Sequence, residues 1–335
     1  MNSRPVIGVT MGDPAGIGPE LCLRLLRETE ILEACIPVVF GDAKVLERVA
    51  RVLGWPAPEG IITLKEWEGT GAAVGGAAIV DCALIDADSI EKGRVQPACG
   101  RAAYGYIETA IRSALSGKIK AVVTAPINKE ALKAGGIDYP GHTEIFQALT
   151  HSGGVCMMLT SDEMTVSMVT THIGLMSIAN HLSAQRVEEV IRLTAAALTR
   201  MLGRQPRLAI CGLNPHAGEH GLFGDEEERL IIPGIERAKA CGIRIEGPLP
   251  PDTAFIPTNR QRFDAVVCMY HDQGHIPFKM VAFDKGVNIT LGSKVIRTSV
   301  DHGTAFDIAW TGKADPKSLF QAARWAIKLA QDENH

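Results

Sequence analysis

Short runs of apolar and β-branched residues alternate along this chain with longer stretches in which apolar residues recur every three or four positions. The short runs predict strands, for example over Val6 to Thr10, Pro37 to Phe40 and Ala121 to Val123. The longer periodic stretches, Ala43 to Leu53 and Arg101 to Leu115, predict amphipathic helices. Such alternation is typical of an α/β fold with largely parallel sheets and crossover helices.

Composition limits the number of domains and the kinds of partner that this chain can have. A chain of 335 residues that is 46% hydrophobic exceeds what one core usually supports, so two domains are expected. A net charge of −4 and only 5% aromatic residues argue against nucleic acid as a partner. The eight cysteines include no C-x-x-C pair, and no apolar run approaches the ~20 residues that cross a bilayer. We therefore expect a cytoplasmic protein with free thiols and no membrane partner.

Three histidines each follow a predicted buried strand. His172, His216 and His271 lie a short distance past the apolar runs Thr165 to Val169, Arg207 to Ile210 and Ala265 to Met269. Strand ends are where α/β proteins build their sites, and neutral imidazoles bind divalent transition ions well. A single histidine is more often an ordinary core or surface residue. Three at strand ends favour a catalytic metal site with open coordination positions.

His271 and His275 are four residues apart, which is the spacing of two ligands on one helical face. Gly274 and Pro277 make a regular helix improbable here, so the segment is predicted as a strand, a turn and an extended exit. We expect His271 to be a metal ligand and His275 to support it or to face the substrate.

A glycine-rich segment, Met11 to Glu20, follows the first strand and precedes a helix predicted from about Pro19. Such a loop can hold an anion at the helix N-terminus, but the P-loop lysine and the G-x-G-x-x-G spacing are missing. The segment is therefore either a nucleotide-binding loop or a structural tight turn.

Two further segments could bind an anion. In Tyr139 to Glu144, Thr143 is predicted to cap a helix over Glu144 to Leu149, and exposed amides beside His142 could receive a substrate anion. Arg297 and Lys279 could bind a carboxylate or a phosphate. A simple capped helix and ordinary surface ion pairs are the structural alternatives.

Six segments carry a family resemblance, and they occur in order over essentially the whole chain: Gly12 to Glu20, Gly141 to Glu144, Thr170 to His172, Asn214 to Glu219, Tyr270 to Gly274 and Arg297 to Ala305. On these segments the chain resembles the 4-hydroxythreonine-4-phosphate dehydrogenase (PdxA) family. The resemblance implies a two-domain α/β/α subunit, isocitrate and isopropylmalate dehydrogenase-like and non-Rossmann. The first domain would comprise 1–135 with 285–335, and the second, 136–284, would carry most metal ligands.

The resemblance also implies a homodimer with active sites in the interdomain cleft at the subunit interface. Zn²⁺, Mg²⁺ or Co²⁺ would be bound by histidines of both subunits, namely His172, His216 and His271. The substrate would contact His142, Thr143, Lys279, Asn288 and Arg297. NAD or NADP would bind at a loop containing His302, Gly303, Thr304, Ala305 and Asp307. Lys129 and Asp252 are the two candidates for the general base.

The activity implied is metal-dependent, NAD(P)-linked oxidation and decarboxylation of a 4-phosphorylated 3-hydroxy acid, in pyridoxine biosynthesis. An alternative is the related branch that converts 4-phospho-D-threonate or 4-phospho-D-erythronate to dihydroxyacetone phosphate and CO₂. The best-known members have a Leu-Pro pair after Asp-Gln-Gly, whereas His275-Ile276-Pro277 stands here, and some have His in place of Asn128. A phosphate acyltransferase of related fold and a non-catalytic small-molecule binding protein are the alternatives from other classes; neither needs both a metal and a nicotinamide.

Overall fold

The computed structural model describes residues 4–70, 74–282 and 285–331. The chain divides into two compact units, one comprising Met1–Ser152 with Ser293–His335 and the other Gly153–Gly292. The stretch 136–152, expected in the second domain, thus belongs to the first unit. The stretch 285–292, expected in the first domain, belongs to the second unit.

The first unit alternates strands and helices as the apolar pattern predicts. Its elements are β1 (Val6–Thr10), α1 (Gly18–Leu25), α2 (Thr29–Ala34), β2 (Ile36–Gly41), α3 (Ala43–Leu53), β3 (Ile61–Thr63), α4 (Leu64–Thr70), β4 (Ala78–Asp81), α5 (Pro97–Leu115), β5 (Ala121–Thr124), α6 (Lys129–Ala134) and α7 (His142–Thr150). After the second unit the chain returns with β12 (Ile296–Val300) and α14 (Lys317–Gln331).

The strands of the first unit lie in the order β3-β4-β2-β1-β5-β12, and all of their pairings are parallel. The predicted bounds of β1 and α3 are confirmed to the residue. α3 buries Val45, Leu46 and Val49 on one face and is followed by the cap residue Gly54, whose left-handed φ of 66° suits a residue without Cβ. α5 begins at Pro97, four residues before the predicted start, because proline fits the first helical turn.

The second unit contains β6 (Cys156–Thr160), β7 (Thr165–Met168), α8 (Ile178–His181), α9 (Ala184–Leu202), β8 (Arg207–Cys211), α10 (Ile232–Ala240), β9 (Arg244–Leu249), α11 (Pro251–Ala254), α12 (Pro257–Arg260), β10 (Ala265–Cys268), α13 (His271–Ala282) and β11 (Val287–Leu291). Their strand order is β11-β6-β7-β10-β8-β9. The strands β7, β10, β8 and β9 pair in parallel, while β6 is antiparallel to both β11 and β7.

Parallel pairing brings the carboxyl ends of β7, β10 and β8 to one edge of this sheet, with β10 in the middle. β7 and β10 are buried throughout, and β8 is buried from Leu208 to Cys211, as expected for strands that are covered on both faces. Val166, Cys268 and Phe278 belong to one apolar core cluster. The three segments that carry the candidate histidines therefore start from the ends of buried, packed strands.

The glycine-rich segment after β1 is a structural tight turn. A Cβ added at Gly12 would lie 2.3 Å from the Pro126 carbonyl oxygen, and one at Gly18 would lie 2.0 Å from the Met11 carbonyl oxygen. At Gly16 an added Cβ would meet Thr304 at 3.0 Å. The glycines are needed because protein backbone packs against them, and the whole segment is buried. Of the two interpretations that the sequence left open, the structure supports the tight turn.

All eight cysteines are free, and each except Cys241 is buried, as the absence of paired spacings predicts. Among the residues that the structure describes, no helix is long and apolar enough to span a bilayer.

Asp13 is a fully buried carboxyl in the tight turn. Its Oδ1 accepts a hydrogen bond from the Ala15 amide at 2.9 Å, while its Oδ2 is buried without a hydrogen-bond partner. Burial raises the pKa of Asp13 from 3.8 to about 6, and the Ala15 hydrogen bond only partly opposes this. The folded protein therefore retains a proton on Asp13 over a pH range in which the unfolded chain has lost it.

We predict that Asp13→Asn stabilises the protein more at about pH 8 than at about pH 4.5. A raised carboxyl pKa lowers the free energy of unfolding as pH rises from 3.8 to about 6, and the full penalty, at most about 3 kcal/mol, persists above that range. Asparagine is neutral throughout and escapes this penalty. Denaturant unfolding of both proteins at the two pH values measures the effect, and a difference that does not change with pH contradicts it.

Candidate functional site

His271 and His275 lie on the first turns of α13 and face the same way. Their rings stack with centroids 3.6 Å apart and an interplanar angle of 11°. The His275 Nδ1 lies 3.0 Å from the His271 carbonyl oxygen, so Nδ1 must carry the proton that makes this hydrogen bond. Burial, followed by the nearby His271, lowers the pKa of His275 to about 4. His275 is thus a neutral ring held against His271.

The expectation that a strand, turn and extended exit would separate these rings is wrong, since α13 runs unbroken from His271 to Ala282 with Pro277 inside it. Tertiary packing explains the difference. A Cβ at Gly274 would lie 3.1 Å from the Cys268 Sγ and 3.2 Å from the Met168 Sδ. Glycine therefore lets the helix lie close to β10 and β7, and burial of that face outweighs its low helix propensity.

His172 and His271 form what we call the imidazole pair. Their ring centroids are 6.0 Å apart, and the His271 Nδ1 lies 2.6 Å from the Asp272 carboxylate. A pocket of about 300 Å³ opens beside them, lined by Thr171, His172, Ile173, Leu175, Ile178, Tyr270, His271 and Asp272. A carboxylate on Nδ1 fixes the tautomer and leaves Nε2 of His271 free to coordinate an ion.

His216 stands apart from this pair. It lies in the short segment Pro215–Gly218, where its own backbone is left-handed rather than helical, and its ring centroid is 5.8 Å from that of Phe223. Within 4–70, 74–282 and 285–331 of a single copy, no three His, Cys, Asp or Glu side chains come together as a metal-binding group. Asp252 is exposed on α11, which packs against the His216 segment.

Gln273 connects the two loops that carry His216 and His271. Its side-chain oxygen accepts a hydrogen bond from the Met269 amide at 2.6 Å, and its side-chain nitrogen donates to the Gly212 carbonyl at 2.8 Å. The residue is buried. The apolar pattern does not reveal this role of Gln273; a glutamine between His271 and Gly274, just after a strand, is the signal that could indicate it.

In the first unit, four predicted residues gather near Gly141; Lys129, His142, Thr143 and Arg297 are hereafter the anion cluster. Arg297 is 2% exposed and donates from Nε and Nη2 to the Thr124 hydroxyl at 3.3 and 3.1 Å. Its Nη1 lies 3.5 Å from the Thr143 hydroxyl. Burial lowers the pKa of Arg297 to about 9, and the charge of Glu144 partly offsets this.

His142 has a buried Nε2 without a hydrogen-bond partner. Its pKa is held well below the usual value, first by burial and then by the charges of Arg297 and Lys129. An unsatisfied buried nitrogen beside two cations is what a bound anionic ligand would complete. Lys129 begins α6 after Asn128, whose side chain caps the helix by accepting from the Ala131 amide at 2.8 Å.

The expected role of Thr143 as a helix cap is wrong. α7 begins at His142, with Gly141 as the residue before it. Thr143 therefore lies inside the first turn, where its hydroxyl is close to Arg297 rather than to backbone amides. A threonine hydroxyl at a helix start can bond either to the backbone amides of the first turn or to a side chain from elsewhere in the fold. Here the contact with Arg297 prevailed.

The remaining predicted substrate residues lie in the second unit. Lys279 is exposed on α13, close enough to His275 for its charge to contribute to the low pKa of that ring. Asn288 lies on β11 opposite Leu159, and its Oδ1 is buried without a hydrogen-bond partner. Such an atom is suited to a ligand that donates a hydrogen bond.

The predicted cofactor loop divides into two parts. Thr304 is buried and its carbonyl accepts a hydrogen bond from the Ile17 amide at 3.1 Å, which anchors the loop on the tight turn. Ala305 is left-handed, with φ 42°. His302, Gly303 and Asp307 are exposed, and a Cβ at Gly303 would have no neighbour within 4 Å. These three residues are accessible to a ligand.

The fold and these clusters define the class: an α/β enzyme subunit whose candidate catalytic side chains follow parallel strands. The family model of the pyridoxal phosphate biosynthetic protein PdxA matches residues 33–326. A 4-hydroxythreonine-4-phosphate dehydrogenase of Desulfosudis oleivorans is 47% identical over 98% of this chain and 97% of its own. A D-threonate 4-phosphate dehydrogenase of Pectobacterium atrosepticum is 46% identical over 97% and 99%.

A crystal structure of 4-hydroxythreonine-4-phosphate dehydrogenase from Klebsiella pneumoniae gives a TM-score of 0.85 at 42% identity, covering 99% of this chain and 100% of that one. The chain belongs to the PdxA family. The family resemblance and the non-Rossmann α/β fold expected from the sequence are confirmed.

We predict that Gly274→Ala destabilises the protein by about 1–3 kcal/mol, because the new Cβ must push α13 away from the sulfur atoms of Cys268 and Met168. Gly69→Ala is the matched control: this glycine lies in α4 with no neighbour within 4 Å of an added Cβ, so alanine should be neutral or slightly stabilising. Thermal unfolding of both variants provides the measurement, and equal effects would show that Gly274 is not required for packing.

Proposed function

We propose that the protein catalyses the NAD(P)-linked oxidation and decarboxylation of a 4-phosphorylated 3-hydroxy acid with the help of a divalent metal ion. The observation that carries this proposal is the imidazole pair, His172 and His271, with the Asp272 carboxylate on the Nδ1 of His271. A dehydrogenase activity follows from membership of the family; the metal, the cofactor and the substrate are our proposal.

The imidazole pair suits a transition-metal ion. Two imidazoles on one tetrahedral ion, with metal–nitrogen bonds of about 2.1 Å, have ring centres roughly 5 Å apart. The observed 6.0 Å needs only a small adjustment of the side chains. Zn²⁺, Co²⁺ or Mg²⁺, once bound, would lower the pKa of the substrate hydroxyl and stabilise the negative charge that develops as CO₂ leaves.

The anion cluster would bind the substrate phosphate. Arg297 offers a guanidinium whose planar fork suits phosphate oxygens, and its contacts to Thr124 hold it in one orientation. The His142 Nε2 and the Thr143 hydroxyl add two polar atoms beside it. Because these groups are fixed before the ligand arrives, little side-chain entropy is lost on binding.

The reaction needs a base for the hydroxyl proton and an acceptor for the hydride of C3. Lys129, next to His142, and Asp252, on the helix that packs against the His216 segment, are the two candidates for the base. The nicotinamide would accept the hydride, and the exposed His302, Gly303 and Asp307 would hold the cofactor. Oxidation gives a 3-oxo acid, which loses CO₂.

A second copy of the chain would complete the metal site, since His216 does not join the imidazole pair within one copy. Several large apolar side chains of the second unit are exposed: Leu175 at 69%, Met176 at 93%, Ile276 at 58% and Met280 at 82%. Leu175 also lines the pocket beside the imidazole pair. Exposed apolar surface of this kind usually marks an interface, so we propose a homodimer with shared active sites.

One observation favours the 2-hydroxy substrates, 4-phospho-D-threonate and 4-phospho-D-erythronate, over a 2-amino substrate. The Lys279 charge is close to His275, which stacks on His271. A lysine and a metal ion together would repel a substrate ammonium group, whereas a hydroxyl is neutral. A relative named D-threonate 4-phosphate dehydrogenase is as similar as those named for the amino substrate.

The decisive assay incubates protein loaded with Zn²⁺, Mg²⁺ or Co²⁺ with NAD or NADP and a panel of 4-phosphorylated 3-hydroxy acids, bearing either an amine or a hydroxyl at C2. We expect equal amounts of reduced cofactor and CO₂, because oxidation and decarboxylation occur on one substrate. Chelation should abolish both. The 2-hydroxy acids should give the higher kcat/KM.

His271→Ala should lose the metal and the activity, whereas the exposed His181→Ala should retain both. Sedimentation should give twice the 35.9 kDa chain mass. Turnover by metal-free protein would rule out the mechanism, and metal-free acyl transfer to phosphate would point instead to the rival acyltransferase.

Arg297→Lys should raise the KM for the phosphorylated substrate about ten- to a hundredfold, since lysine keeps the charge but loses the forked hydrogen bonds. Lysine is preferable to alanine here because the nearby Glu144 charge then remains balanced. Arg262→Lys, which changes an exposed arginine paired with Glu246, should leave KM unchanged. Steady-state kinetics of both variants decide, and an unaltered KM in Arg297→Lys would remove this residue from the phosphate site.

A further inference from the structure

The loop after β8 that carries His216 has an unusual backbone. His216 and Ala217 both have φ 54°, Glu219 has φ 44° and His220 has φ 55°. Left-handed φ values crowd the Cβ of an L-residue against the following carbonyl, so four such residues within five positions are unfavourable on their own. Contacts from outside the loop must hold it, and strain of this kind concentrates at functional sites.

Glu227 anchors the residues that lead into this strained stretch. The side chain is 2% exposed, and its Oε1 accepts hydrogen bonds from the backbone amides of Leu213 at 2.7 Å and Asn214 at 2.8 Å. Its Oε2 accepts from the Asn214 side-chain amide at 2.9 Å. The three donors belong to the two residues that lead into Pro215 and His216. Hydrogen bonds to an ionised carboxylate are stronger than neutral ones, so this end of the loop is firmly fixed.

Two glycines leave room for the same carboxylate. A Cβ at Gly218, after His216, would lie 2.7 Å from the Glu227 Oε2, and one at Gly212, before the loop, would lie 3.0 Å from its Oε1. The carboxylate is therefore packed between the two ends of the loop. Glu227 also opens a π-helical segment, Glu227–Ile231, a departure from the α-helix that is frequent near functional sites.

We propose that Glu227 is a positioning residue for metal binding. Its carboxylate fixes the backbone of Leu213 and Asn214, and the strained turn that follows presents the His216 imidazole in one orientation to the metal ion. The inference rests on the proposed function in taking His216 as a metal ligand. The buried glutamate, whose carboxylate is bonded to loop groups, would make that ligand available without reorganisation.

Titration of the metal-free protein with Co²⁺ alone, followed by visible absorption, tests the proposal. Glu227→Gln keeps the size of the side chain but turns an NH₂ group toward donors, so the Kd for Co²⁺ should rise about ten- to a hundredfold. The absorption bands should also change, since they report the geometry around the ion. Glu228→Gln, an exposed neighbour on the same segment, is the matched control and should bind Co²⁺ as the wild type does.

A merely structural role would lower the melting temperature of Glu227→Gln while leaving the Co²⁺ affinity and spectrum of the folded protein unchanged, and that result overturns the proposal. If Glu227→Gln does not fold, Asn214→Ala removes the side-chain part of the contact and must still weaken Co²⁺ binding several-fold; an unchanged Kd there is equally fatal.

His216→Ala separates this inference from the proposed function. Weakened Co²⁺ binding in His216→Ala with normal binding in Glu227→Gln refutes the positioning role alone. Normal Co²⁺ binding in His216→Ala, or no binding by the wild type, refutes the metal site itself and the positioning role with it.

Discussion

The loops of this protein depend on one constraint: backbone N–H groups that are buried beyond the strand ends need hydrogen-bond acceptors. Buried Glu, Asp and Gln side chains supply those acceptors. Loops that follow buried strands leave amide groups without sheet partners, and each unsatisfied buried amide would cost about 1–3 kcal/mol. Glu20 closes one such loop by accepting from the amides of Gly312 and Ala314, Asp42 accepts from Leu84 and Ile85, and Glu227 accepts from Leu213 and Asn214. The candidate site is built on backbone held in this way.

The same constraint explains how separate loops can be positioned accurately. β7, β10 and β8 end at one edge because they are parallel, but strand ends alone do not orient side chains. Gln273 joins the backbone before His271 to that before His216. Asp272 and His275 then orient the His271 ring from its Nδ1 and from its face. The His271 ring is therefore supported on two sides by contacts within the second unit.

Much of the secondary structure followed from local pattern, because β1 and α3 have periodicities that no tertiary contact opposes. Prediction failed where packing competed with propensity. Gly274 and Pro277 argue locally against a helix, yet α13 forms because a glycine is what lets it approach β10. Thr143 is a good local cap, but its hydroxyl lies beside Arg297 from a distant strand.

Apolar period and motif order are local properties, and they were sufficient to establish the α/β class, the placement of three histidines at strand ends and the family to which the chain belongs. Packing between distant segments sets three further features: the glycine-rich turn packs on protein, His275 stacks on His271, and Glu227 holds the start of the His216 loop. Each of these depends on residues brought together by strand order and burial. Such contacts between distant segments have no signature in neighbouring letters of the chain.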